Sequence, residues 1–185
     1  MTIGRTGRLP GRDECLMILK KSGASAGVIA HSETVCRAAE GLSDEIRKAG
    51  AGNPDIRLVT AGAILHDIGR SRTHGVTHGF VGGQIVQELG LDERLVRITE
   101  RHVGAGIPMQ EAKSMGLPER DFIPETLEEK IVCYADKLAF GHEIKSSDET
   151  IKDFEEELGR DHPAVKRLRE FCKSMQELIM EERKE

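Results

Sequence analysis

Apolar residues in this 185-residue chain recur every three to four positions far more often than every second one, which is the spacing of amphipathic helices. The pattern predicts an all-α fold, a bundle of about seven to nine helices. Asp13 is placed to cap a short first helix carrying Leu16, Ile18 and Leu19, closed by Ser22 and Gly23. A second helix is predicted from about Ala26 to Lys48, with Val35, Ala38, Ala39, Leu42 and Ile46 on one face and His31 one turn before Val35. Asn53, Pro54 and Asp55 form a turn and cap, after which Ile56–Leu65 is apolar enough to be central. Gly69 stands where a left-handed residue would end that helix.

The polar loop Ser71 to Thr77 leads to a helix with His78 in its first turn and Val81, Ile85, Val86 and Leu89 on its apolar side. Gly82 and Gly83 leave room there for close packing or a ligand. Gly90 ends this helix and Asp92 caps the next, in which Leu95, Val96 and Ile98 lead to His102. Residues 103–125 are broken repeatedly by Gly and Pro and are expected to form a lid or substrate-selecting loop. Thr126 opens a helix through Phe140, with Ile131, Val132, Ala135, Leu138 and Ala139 turned inward and Asp136 among them. From about Ser147 the pattern gives a short charged helix, a break at Gly159 to Pro163, and an amphipathic helix with Val165, Leu168, Cys172, Met175 and Ile179. That last face is expected to pack on the domain, a homodimer being the alternative. The chain reads as one domain over residues 1–185, with a motif-bearing core of about 26–140 and a helical extension of about 147–185. It has no internal repeat, and the acidic EEE and EER groups read as solvated faces.

Charge narrows the function. With 27 basic and 32 acidic residues and a net charge of −5, no basic field is available to hold a long polyanion, so nucleic acid is not an expected partner. The four cysteines, Cys15, Cys36, Cys133 and Cys172, are far apart, which excludes a zinc ribbon or disulfide framework and suits a reducing compartment. The charged start MTIGRTGRLPGR is followed by no apolar leader core, and no run is long enough to cross a bilayer. A cytoplasmic protein with no membrane partner is expected.

The candidate chemistry centres on AGAILHDIGR, where His66 and Asp67 stand side by side at a predicted helix end. His31, His78, His102 and Asp136 are further potential ligands. Imidazole nitrogens mixed with carboxylate oxygens suit first-row metals. A lone histidine on an apolar face is more often a satisfied core residue, but a carboxylate such as Asp136 on an apolar helix face is costly unless paired or metal-bound. Arg70, one short turn past the doublet, can grip a phosphate oxygen. Lys137 and Arg101 are weaker candidates for the same task, Arg101 being expected to pair with Glu100 or stay solvated, and His74 is a candidate proton donor to the leaving group, a partner that orients a ligand, or a replacement for His78 as ligand. His142 and His162 read as surface residues, and Met109 and Met115 as gap fillers.

These positions resemble the signature of the HD superfamily of metal-dependent phosphohydrolases: a distant His, a His-Asp doublet and a distant Asp, here His31, His66 with Asp67, and Asp136. HDIGR is similar to the HDIG variant, with Arg where Lys is usual, and the whole-chain pattern resembles small stand-alone HDIG proteins of archaeal type. His78 and His102 match the branches that hold two metals, among them HD-type diadenosine tetraphosphate hydrolases and cyclic-nucleotide phosphodiesterases. The resemblance implies one ion on His31, His66 and Asp136, a second on His78 and His102, and Asp67 bridging them. Iron or manganese is the expected metal, with nickel, cobalt, zinc or magnesium as substitutes. It further implies that a metal-activated hydroxide cleaves a small phosphorylated, nucleotide-like substrate; with Arg70 and His74 added from the reading of the residues, Asp67, Arg70 and His74 form the expected catalytic set. Two other readings use the same ligands: a di-iron oxygenase, and a regulatory module that binds nucleotide without turnover.

Overall fold

The computed structural model describes residues 7–180. The first six residues of the charged start and the EER group therefore lie outside the described residues. Among the described residues the chain forms nine α-helices: α1 (Arg12–Lys21), α2 (Ala26–Lys48), α3 (Ile56–Leu65), α4 (His78–Glu88), α5 (Glu93–Arg101), α6 (Met109–Ser114), α7 (Leu127–Leu138), α8 (Ser147–Leu158) and α9 (Pro163–Met180). A short 3-10 turn, Ile68–Ser71, follows α3, and strands β1 (Ala139–Phe140) and β2 (Glu143–Ile144) make a small antiparallel hairpin. The fold is all-α, as the periodicity requires.

Several helix starts follow from a single side chain that satisfies backbone N–H groups left without an intrahelical acceptor. Asp55 accepts from the N–H groups of Arg57 and Leu58, Asp92 from that of Arg94, and Thr126 from that of Glu129. Ser146 and Glu149 form a reciprocal capping box on α8. Asp13 does not cap α1. Gly11 holds that position, and Asp13 lies in the first turn, where a negative charge still suits the helix dipole.

α3 packs against α1, α2, α5 and α7, which explains why it is apolar nearly all round. Its Leu58, Val59, Ile64 and Leu65 join Val35, Ala39 and Ile46 of α2 and Ile131, Val132 and Ala135 of α7 in the main core. Each large aliphatic side chain so buried contributes about 1.5–3 kcal/mol before conformational entropy is set against it. Leu168, Cys172 and Met175 of α9 belong to the same core, so the last helix packs on the domain with its predicted face.

Three local expectations change. Gly69 does not take a left-handed conformation, since its φ is not positive. A Cβ there would fall 1.9 Å from the His78 carbonyl oxygen, so the glycine is needed for close approach of the turn to α4. Gly82 of α4 allows an equally close approach of α5, a Cβ on it falling 2.5 Å from Thr99 Cγ2. The helix from Thr126 stops at Leu138, two residues early, because Ala139 turns to extended backbone (φ −87°, ψ 117°) and enters the hairpin. Residues 103–125 have an interior of their own, formed by Ile107, Ala112, Leu117 and Phe122. Arg167 of α9 ties them down through the Gly106 carbonyl and Glu111.

Candidate metal centre

The ligand-bearing side chains leave five places in the chain and meet beside the C-terminal end of α3. His31 comes from α2, His66 caps the end of α3, and Asp67 follows it. His78 opens α4, His102 caps the end of α5, and Asp136 lies in the last turn of α7. Three overlapping groups have ligand atoms within 4.8 Å of one another: His31, His66 and Asp67; His66, His102 and Asp136; and Asp67, His78 and His102.

The imidazoles are oriented by backbone. His66 Nδ1 donates to the Ala63 carbonyl at 2.7 Å, His78 Nδ1 to Gly75 at 2.8 Å and His102 Nδ1 to Thr99 at 2.7 Å. A carbonyl can only accept, so in each ring Nδ1 carries the hydrogen and the neutral ring presents a lone pair at Nε2. His78 Nε2 and His102 Nε2 then face each other at 3.0 Å, and His78 Nε2 faces Asp67 Oδ1 at 3.1 Å. Lone pairs opposed at these distances repel unless a cation lies between them. Buried His66 Nε2 and Asp67 Oδ1 have no hydrogen-bond partner, an arrangement that proteins keep only where another group completes it.

Electrostatics agree with a cationic occupant. Burial alone would raise the Asp67 carboxyl, but positive charge among the surrounding His66, His102 and His78 rings, of the kind a bound cation would supply, outweighs it and holds the group far below the usual carboxylate range. Burial opposes charge on His66, yet Asp67 and Asp136 overcome it and raise that pKa, so the local field favours positive charge at Nε2. Burial pushes His102 down to about 4, assisted by His66 and His78 against the pull of Asp67, which keeps its Nε2 a free donor at neutral pH. The donor set thus fits divalent metal ions of the N/O-preferring kind.

Asp67 faces two ways. Oδ1 points to His78 and His102, at 3.1 and 3.5 Å. Oδ2 lies 3.7 Å from His66 and 4.0 Å from His31 and accepts from Arg70 Nε at 2.7 Å. Asp136 Oδ1 accepts from His31 Nε2 at 2.9 Å and lies 3.5 Å from His66, while Lys137 Nζ donates to Oδ2 at 2.6 Å. Burial would lower Lys137, but Asp136 raises it. Both carboxylates therefore hold a protein cation on one oxygen.

A cleft of about 340 Å³ opens onto this centre, lined by Gly27, Val28, His31, Asp67, Arg70, Ala139, Phe140 and Gly141. All six ligand candidates are brought together. His74 is exposed and outside the three groups, so His78 takes the place at the cluster. Arg101 is held by Glu129 and Glu125, away from the cleft lining, and Glu100 pairs with Arg120 instead. The loop 103–125 supplies no residue to the cleft, and the β1–β2 turn does. That turn was legible only as Gly141 between Ala139-Phe140 and Glu143-Ile144, a weak hairpin signal overridden by the helical run before it.

The comparisons follow the same lines. The HD domain model matches residues 28–141. An uncharacterized protein of Methanocaldococcus jannaschii is 49% identical over 156 residues, 84% of this chain and 91% of its own length. A tRNA (cytidine(56)-2′-O)-methyltransferase of Picrophilus torridus is 48% identical over 130 residues, 70% of this chain but 36% of that protein. The same enzyme of Thermoplasma volcanium is 45% identical over 133 residues, 72% and 38% of the two lengths. The chain thus spans little more than a third of these two relatives. The HD domain of the L. monocytogenes phosphodiesterase PgpH, solved with cyclic-di-AMP, superposes with a TM-score of 0.52 at 17% identity, covering 93% of this chain and 99% of that one. With the doublet, its flanking ligands and the matched model falling on the same residues, the chain belongs to the HD domain family.

Proposed function

We propose that this protein is a metal-dependent phosphohydrolase or phosphodiesterase acting on a small, nucleotide-like phosphoester. The observation that carries the reading is Asp67, a buried carboxylate between two sets of imidazoles, with Oδ1 lacking any hydrogen-bond donor. His31, His66 and Asp136 would hold one divalent ion, His78 and His102 a second, and Asp67 both. Such ions, iron or manganese by donor type, would supply an acidified water and positive charge for the phosphoryl oxygens.

The remaining work falls to the chain. Arg70 spends only Nε on Asp67, so among the described residues its terminal nitrogens have no protein acceptor and can clamp a phosphate in the cleft. Lys137 neutralises Asp136 from behind, which keeps the acidic centre from repelling an anionic substrate. The PgpH neighbour, solved with cyclic-di-AMP, supports a nucleotide-like substrate.

The test is turnover of a generic phosphomonoester or phosphodiester with added Mn²⁺ or anaerobic Fe²⁺, abolished in His66→Ala and Asp67→Ala. Absence of turnover across metals and a broad nucleotide panel would refute it.

A further inference from the structure

We propose that Phe140 is a stacking platform for a nucleobase, so that the phosphoester taken by this site carries an aromatic base. The proposal deepens the phosphoester reading and rests on it. Phe140 lines the cleft that holds His31, Asp67 and Arg70, yet it is 61% exposed. A ring left in water at the mouth of a binding cleft forgoes burial that folding alone would favour, and a flat aromatic partner restores it.

The ring is placed by design of the backbone. α7 brings Asp136 to the metal centre and ends at Leu138, and the chain then turns back through Gly141 at φ +60°. Pairing of Phe140 with Glu143, and the Lys145 N–H to the Leu138 carbonyl at 2.7 Å, fasten the hairpin to the helix that bears Asp136. Lys145 Nζ lies 3.8 Å from the centre of the Phe140 ring and holds one face by cation–π attraction. Lys145 is not part of the cleft lining, so the ring's remaining surface is what the cleft receives.

Besides Phe140, the cleft lining includes Gly27, Val28, Ala139 and Gly141, none of which has a polar side chain to read the edge of a base. Recognition of a base by these residues would rest on stacking, which every base permits. Arg70, His31 and Asp67 line the same cleft and supply the charged groups that a phosphate needs. A cavity of about 340 Å³ has the size of a small-ligand pocket and suits a nucleoside phosphate.

The sequence contains no tryptophan, so Phe140→Trp gives the full chain a single tryptophan at the platform, excited selectively over Tyr134 at long wavelength. With Mn²⁺ present, AMP is expected to quench its emission saturably and ribose 5-phosphate is not. In calorimetry, Phe140→Ala is expected to reduce the preference for AMP over ribose 5-phosphate by about tenfold, the scale of one stacked base. Equal responses to the two probes in both measurements would overturn the platform. Selective quenching together with no turnover across metals and the nucleotide panel would uphold the platform and refute the hydrolytic reading, so the two fail separately.

Discussion

On the inner side of Asp67, His78 and His102 are buried and have Nδ1 fixed to backbone carbonyls, which leaves both Nε2 lone pairs ready before any ion arrives. On the outer side, His31 opens on the cleft and has Nε2 committed to Asp136, while Arg70 and Lys137 occupy the second oxygens of the two carboxylates. The inner half is preorganised for coordination, and the outer half must exchange a hydrogen for a metal. On the proposed two-ion reading, the contrast separates coordination where side chains are locked from exchange where they reach solvent.

The largest effect should come from removing what the halves share. Asp67→Ala is expected to lower turnover by more than about 100-fold and to deplete both metals, since even outer-shell partners of a ligand are worth about 10–100-fold; metal analysis beside kinetics checks it. Next, His102→Ala should cost the inner ion, whereas His31→Ala should retain it and lose the outer one. Equal stoichiometry in the two variants would erase the distinction between the halves. Arg70→Ala should keep its metals and lose about 10- to 100-fold in kcat/KM, mostly through KM, as loss of a charge-assisted phosphate contact implies. The last effect is read on stability: in Gly69→Ala the Cβ meets the backbone carbonyl of His78, so the turn or α4 must shift, and the overpacking should cost at least about 1–3 kcal/mol, read as a lower Tm.

The ligands were legible in sequence, His78 least so because His74 stood as its alternative. The helices that carry them are bounded locally, α3 by Asp55 at its start, α4 by Gly90 after its end and α5 by Asp92 at its start. α2 and α3 begin and end where apolar spacing places them. The partners of these residues were less legible because they depend on the fold. Lys137 follows Asp136 by one residue, which on a helix sets the two about 100° apart, yet its long side chain curls back to the carboxylate. Arg101 read as paired with its neighbour Glu100 or solvated, and only folding brings its actual partner Glu129 to it from 28 residues away. Phe140 read as the end of a helix, and only the hairpin puts its ring at the cleft.

The central claim is that Asp67 separates two metal positions of unlike accessibility. Anomalous diffraction at the manganese edge from crystals grown with Mn²⁺ tests it most directly. Two peaks flanking Asp67 are expected, one among His78, His102 and Oδ1, the other among His31, His66, Asp136 and Oδ2, the second fading first on brief chelation. A single peak, or two that fade together, would contradict the account.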